Sequence, residues 1–310
     1  MVHITKMGIL FILLLLKLDS QTSVNPDLPF SIPDEKIVPL RELVNPEFQR
    51  QFEAVLKKNP AWAQLIRKRK MAVGLVDLTD SLNIRYARVN GDVMIYAASL
   101  PKLAILLAAV DALDKGVLQE TDEIREDMRI MIARSDNEAA SRMIDRIGFK
   151  YIESVLRQPK YELYDPERGG GLWVGKEYAR DTKRYPDPLM GISHGATVTQ
   201  VCRFYYLLAM GKLVSRDRCI QMLNILSDPE IHHKFVHTYD ELAPDAKLYR
   251  KSGTWKKWHS DSVLIWGARW RRYILVALVE DANGETILRN LIPAVESVMK
   301  TKSTQTAENK

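Results

Sequence analysis

The order of elements along the chain predicts an α/β protein of the α+β kind. An antiparallel sheet is flanked by helices, and an all-helical domain is inserted into it. Three observations carry this expectation. Two strand-like runs, residues 71–78 and 84–90, follow a helical opening. Three more, residues 248–251, 262–266 and 273–279, come only near the end. Almost everything between them reads as helices and loops. Short connections within each group favour antiparallel pairing. Placing both groups in one sheet brings the chain ends together and makes the helical block an insert.

The elements follow in order. Lys6 precedes an apolar run, residues 7–16, which Lys17 interrupts and Asp19-Ser20-Gln21-Thr22-Ser23 follows. A positive residue, a short apolar run and a polar stretch form the layout of a secretory signal. The run is shorter than the roughly 20 apolar residues needed to span a bilayer, and no Cys follows it to carry a lipid. The expectation is a signal peptide over 1–20, cleaved near Ser20, and export to a periplasmic or extracellular space. An uncleaved interfacial anchor is the alternative. Membrane contact is expected only through this segment.

Residues 21–44 form a lead-in with Pro26, Pro29, Pro33 and Pro39. Asn45-Pro46 reads as a helix start, with Pro in the first turn, and Phe48, Phe52, Val55 and Leu56 recur at helical spacing. A second helical piece, 61–70, follows Pro60. The first two strands are joined by a turn at 80–83. An apolar helix is expected over 99–113, with helical segments to about residue 228. An amphipathic helix carrying Ile287, Leu288, Leu291, Ile292, Val295 and Val298 closes the fold. The expected organisation is a discontinuous sheet-and-helix domain, 45–95 and 245–300, an inserted helical domain, 96–244, and a polar tail, 301–310.

Composition fits a globular protein with a substantial core: 46% of the 310 residues are hydrophobic and 27% charged. The net charge is +6. The basic clusters at 67–70 and 269–272 are short and abut strand-like runs, so they read as solvated element ends and not as a nucleic-acid surface. Cys202 and Cys219 fall in helix-like segments joined by a short turn. They form either a disulfide or two buried thiols. His232, His233 and His237 lack a completing acidic ligand and read as surface residues. No metal and no organic cofactor is expected.

Three motifs carry chemistry. In Ser99-Leu100-Pro101-Lys102, at the start of the apolar helix, a serine and a lysine three apart share one helix face. The positive end of the helix dipole lies near the serine. A neutral amine there takes the hydroxyl proton and leaves a usable nucleophile. Ser135-Asp136-Asn137 lies between helices, where a hydroxyl can relay a proton and an amide can orient a substrate. Lys251-Ser252-Gly253-Thr254 ends a strand. Its Gly admits a close backbone approach, and its Lys suits a substrate carboxylate. Each alone has a plain structural reading, as a helix cap or a strand end. Their joint occurrence, in this order and on these elements, is far less probable by chance.

Together they resemble the class A β-lactamases and penicillin-binding proteins, whose signature is SxxK, SDN and KTG, with Ser252 here in place of the usual Thr. Ser135-Asp136-Asn137-Glu138-Ala139-Ala140, residues 196–226 and residues 273–279 extend the resemblance. It implies a β-lactamase-like fold and a serine hydrolase with catalytic residues Ser99, Lys102 and Ser135. Ser99 would be acylated, with Lys102 as the base, directly or through water. Ser135 would pass a proton to the leaving nitrogen. Asn137 would hold the substrate amide. Lys251 and Ser252 would bind a carboxylate on a small-molecule or peptide substrate, beside Gly253. The oxyanion hole would be the N–H groups of Ser99 and Trp255.

The chain departs from class A in three respects. No ExxLN glutamate follows the SDN motif; Glu162, Glu167 and Glu177 are the glutamates available for deacylation. The 36-residue step from Ser99 to Ser135 is short, so a wall of the site looks trimmed. The stretch to Thr197 is long and carries a Gly169-Gly170-Gly171 hinge. Trp255 and Trp258 read either as an aromatic rim or as core packing. His259 and Asp261, near the Lys251 strand, leave an alternative base open. Three functions follow: hydrolysis of a β-lactam, hydrolysis of a D-alanyl peptide or ester, and binding or sensing by a protein that is acylated and stays so.

Overall fold

The computed structural model describes residues 28–308, with side chains through residue 300. The expected signal segment, its cleavage point and the start of the lead-in lie outside the described residues, as do the side chains of the polar tail.

After two short 3-10 helices, Asp34–Lys36 and Leu40–Leu43, come α1 (Pro46–Lys57) and α2 (Pro60–Arg67). Asn45 fixes the start of α1: its side-chain oxygen accepts from the Phe48 N–H at 2.9 Å, and Pro46 sits where a missing N–H costs nothing. Phe48, Phe52 and Leu56 form the buried stripe. Then come β1 (Met71–Asp77), β2 (Arg85–Val89) and the short β3 (Ile95–Tyr96). The helical block holds α3 (Lys102–Asp114), α4 (Asp122–Ala133), α5 (Asn137–Ile147) and α6 (Phe149–Leu156). Four short strands follow, β4 (Tyr164–Asp165), β5 (Gly170–Gly171), β6 (Trp173–Val174) and β7 (His194–Ala196). The block ends with α7 (Val198–Ala209), α8 (Arg216–Leu226) and α9 (Phe235–Leu242). The chain closes with β8 (Lys247–Trp255), β9 (Trp258–Trp266), β10 (Arg272–Glu280) and α10 (Gly284–Glu308).

Both strand groups join one antiparallel sheet in the order β2-β1-β10-β9-β8. Its central strands are buried on both faces, and side-chain alternation assigns each residue to a side. Met71, Val73 and Leu75 of β1 pack with α1 and α10, as do Tyr273, Leu275 and Ala277 of β10. Ala72, Val76, Ile274 and Val276 face α7 and belong to the same core as α3. This is why these strands read as unbroken apolar runs.

Helix α3 is buried along almost its whole length, from Lys102 to Leu113. A helix apolar on every side belongs in a core, and α3 is the axis of the helical block. Its one buried acid, Asp111, is satisfied by the hydroxyls of Tyr151 at 2.8 Å and Tyr161 at 3.1 Å. The helix begins at Lys102 and not at Ser99, because Ala98 takes a positive φ of 51° and Ser99 sits in the turn that follows.

Gly169-Gly170-Gly171 is not a hinge. A Cβ on Gly169 would lie 2.2 Å from the Asp92 carbonyl oxygen, and one on Gly171 2.1 Å from that of Leu163. The glycines permit a crowded crossing of two chain segments. Cys202 and Cys219 are both free, buried thiols.

Candidate active site

Ser99 lines a cleft of about 750 Å³ between the helical block and the edge of β8. Asn137, Glu177, Tyr178, His194, Thr254, Trp255 and Trp258 share its wall. The turn that carries Ser99 is pressed against β8. A Cβ on Gly253 would lie 2.3 Å from the Ala97 carbonyl oxygen and 2.6 Å from the Ser99 nitrogen, so only glycine fits there.

Lys102 is fully buried behind this lining. Its Nζ donates to the Ser135 carbonyl oxygen at 2.6 Å, the Asp136 carbonyl oxygen at 3.1 Å and Asn137 Oδ1 at 2.8 Å. All three acceptors are neutral. Burial therefore dominates and pushes the amine down to about 7, with the Asp136 charge opposing it. Ser135 holds its position through a left-handed backbone, φ 55°. Asp136 caps α5, its Oδ1 accepting from the Ala139 N–H at 2.7 Å.

Lys251 reaches the same loop from the sheet. Its Nζ donates to Ser135 Oγ at 2.9 Å and to its neighbour's carbonyl, that of Ser252, at 2.8 Å. Burial, followed by the charge of Lys102, lowers this amine well below its usual range. Ser252 Oγ lies 3.1 Å from His233 Nε2. His233 is thus part of the site and not a surface histidine. Burial, then Arg250 and Lys234, push it down to about 3.

Lys234 is a second residue with no sequence signal. Its buried Nζ donates to the Gly253 carbonyl oxygen at 2.6 Å, Thr254 Oγ1 at 2.8 Å and the Ser260 carbonyl oxygen at 3.1 Å. Burial brings it to about 8. Arg250 donates to both oxygens of Asp261, at 2.7 and 2.9 Å. The buried Arg250 guanidinium and the buried amines of Lys234 and Lys251 thus share one buried carboxylate at this edge of the sheet. The resulting field favours an anion. With Asp261 held by Arg250, the alternative base at Asp261 loses its support.

Trp255 pairs with Trp258 across the two-residue turn Lys256-Lys257. The pair flanking such a turn keeps its backbone hydrogen bonds inside the hairpin. The N–H of Trp255 therefore points to Trp258, and alternation gives the cleft the N–H of Thr254. Trp255, expected to offer its N–H to the cleft, thus turns it into the hairpin, and Thr254 is the residue whose N–H faces outward. The Trp255 side chain is 55% exposed on the cleft rim. Trp258 meets Tyr96 edge to face at 5.4 Å. Trp255 forms the rim, whereas Trp258 both lines the cleft and packs against the core.

The glutamates separate. Glu162 lies 3.6 Å from Arg203, outside the cleft lining, and Glu167 is exposed on the short 3-10 helix Pro166–Arg168. Glu177 does line the cleft, with its carboxylate 2.6 Å from Arg180. Beside it, Tyr178 lays its ring 4.5 Å from Lys102 Nζ and donates its hydroxyl to the Ala98 carbonyl oxygen at 3.3 Å.

The model of the beta-lactamase enzyme family matches residues 123–298, more than half of the 310-residue chain. Solved structures agree in fold. A beta-lactamase from Sphaerobacter thermophilus superposes with a TM-score of 0.60 at 18% identity, over 77% of this chain and 97% of its own. A point mutant of PBP-A, solved as an acyl-enzyme complex with penicillin G, gives 0.62 at 19% identity, over 86% and 100%. The TLA-3 extended-spectrum beta-lactamase gives 0.62 at 13% identity, over 81% and 98%. No curated protein matches the sequence.

Proposed function

The chain belongs to the beta-lactamase enzyme family, and from that premise we propose that it is a serine acyl hydrolase that forms an acyl-enzyme at Ser99 on the amide carbonyl of a β-lactam. The observation that carries the reading is Lys102: an amine buried among neutral acceptors, brought to about 7, on the first turn after Ser99. Near neutrality a large fraction is uncharged and able to accept the Ser99 proton.

The steps follow from the groups present. Ser99 Oγ loses its proton to Lys102 and bonds to the carbonyl carbon. The N–H groups of Ser99 and Thr254 receive the oxyanion; such a donor is worth about 3–4 kcal/mol of barrier. The C–N bond breaks as Ser135, beside Lys251, hands its proton to the departing nitrogen and takes one back from Lys102, which returns to the neutral amine. Asn137 Oδ1 is held by Lys102, which leaves its NH₂ to the substrate amide. Lys251 and Ser252, with Lys234 behind them, draw the substrate carboxylate. Water then hydrolyses the ester.

Glu177 is ion-paired with Arg180 without a hydrogen bond to it, and Lys102 touches no carboxylate. This favours a second reading within the first, in which acylation outpaces deacylation and the protein persists as its adduct. The test is incubation with a fluorescent penicillin, following adduct mass and product together. One adduct, mapped to Ser99 and lost in Ser99→Ala, is expected; labelling elsewhere rejects the reading. We also propose export, with a mature chain beginning within a few residues of Gln21, on the layout of residues 6–23. Recovery of envelope protein that begins at Met1 rejects this.

A further inference from the structure

We propose that Tyr178 is a cap that keeps water from the Ser99 ester and so sets the lifetime of the acyl-enzyme; the proposal rests on the reading of Ser99 as the acylated residue. Tyr178 reaches both neighbours of the nucleophile. Its hydroxyl is on the Ala98 carbonyl oxygen and its ring is on Lys102 Nζ. Hydrolysis of the ester needs a water oxygen to bond to the acyl carbon and the carbon–Ser99 Oγ bond to break. One water proton passes to Lys102 and from it to Ser99 Oγ. The attacking water must therefore reach the amine, and the aromatic face lies on that amine. Gly253 closes another side of the Ser99 turn by direct backbone contact.

The cap is held on both sides in sequence. His194 Nε2 lies 3.0 Å from the Lys176 carbonyl oxygen, and a carbonyl only accepts, so Nε2 carries the proton. His194 Nδ1 is then the acceptor for Ser193 Oγ at 3.0 Å. On the other side the Ala179 N–H donates to Ser141 Oγ at 3.1 Å. The ring itself is wedged between Lys102 and the His194 imidazole, whose centroid is 4.3 Å away. Burial raises the phenol well above its usual range and lowers His194 to about 4. Neither group changes charge near neutrality, so the cap is a fixed part of the cleft.

The experiment follows formation and decay of the penicillin adduct by intact mass in the full chain, Tyr178→Phe and Tyr178→Ala. Opening a path for water to an existing base is expected to shorten the adduct lifetime at least about tenfold in Tyr178→Ala, with formation changed less than about threefold. Tyr178→Phe keeps the ring and is expected to stay within about threefold of the parent chain on the same scale. An unchanged lifetime in Tyr178→Ala overturns the proposal. So does a parallel fall in both rates together with a lowered Tm, which is what a merely structural role would give. If Tyr178→Ala does not fold, Tyr178→Leu, smaller but apolar, carries the same comparison. Absence of any adduct on the parent chain rejects the acylation reading and the cap with it. An adduct at Ser99 whose decay ignores residue 178 rejects the cap alone.

Discussion

Lys251 Nζ donates to Ser135 Oγ at 2.9 Å, across 116 residues of chain. The bond joins the edge strand of the sheet to the loop between α4 and α5. It also decides what the Ser135 hydroxyl can do. With its oxygen accepting from Lys251, the hydroxyl proton is left for a leaving nitrogen. Ser135→Ala is therefore expected to slow acylation by about 10²-fold or more, the contribution of a positioned acid. Adduct stoichiometry at long times should stay at one. A rate unchanged by Ser135→Ala would remove this residue from the mechanism.

The acylation rate should fall as the solution is made acidic. Lys102 must be neutral to act, and its pKa is lowered to about 7. The amine is neutral above that value and charged below it. The rate of adduct formation is thus expected to lose about tenfold per pH unit below 7 and to level off above it. Lys102→Arg places a permanently charged group there and should abolish acylation at every pH. A flat profile from pH 5 to 8 would contradict the role given to Lys102.

Among the glutamates, Glu162→Gln and Glu167→Gln should leave adduct lifetime unchanged, because neither side chain lines the cleft. Glu177→Gln is the demanding case. Its carboxylate is within the lining but engaged with Arg180. The expected change is less than about threefold, far below the effect of removing a general base. Collapse of a rapid steady state in Glu177→Gln would make that residue the deacylating base.

Asp261 is the buried carboxylate that faces Arg250, beside the buried amines of Lys234 and Lys251. It accepts from Arg250, and from the Phe235 and Ser262 N–H groups at 3.1 and 3.0 Å. Asp261→Asn leaves Arg250 buried without a counter-charge, which costs about 3–5 kcal/mol. Denaturant unfolding should report the loss as a shifted midpoint. A change under about 1 kcal/mol would show that the pair has little structural weight.

The fold and the motif residues were legible in the sequence for a local reason. The five strands, the apolar helix and the Ser99, Ser135 and Lys251 motifs are each written in contiguous residues. Burial on both faces leaves its mark as an unbroken apolar run, as in 273–279. His233, Lys234, Tyr178 and His194 have no such mark. Each meets the site through one contact with a distant segment: His233 with Ser252, Lys234 with Gly253, Tyr178 with Lys102, His194 with the Lys176 carbonyl. A loop residue held by a remote partner has no periodicity to betray it. The N–H that faces the cleft was expected one residue too late, at Trp255, for a related reason. Which N–H faces outward depends on where the Lys256-Lys257 turn falls, and that is a property of register.

The pairing of β1 with β10 also sets a timetable. Leu75 and Leu275 are register partners, and Ser99 rests against Gly253. A ribosome makes Ser99 and Lys102 early and β8, which packs against their turn, late. Contacts of such long sequence separation close slowly. Until the final third of the polypeptide has been made, one edge of β1 waits without its neighbour and the serine has no Thr254 amide beside it. On the proposed reading of Ser99, the nascent chain carries a dormant nucleophile, and reactivity is acquired only once β8 has docked against it.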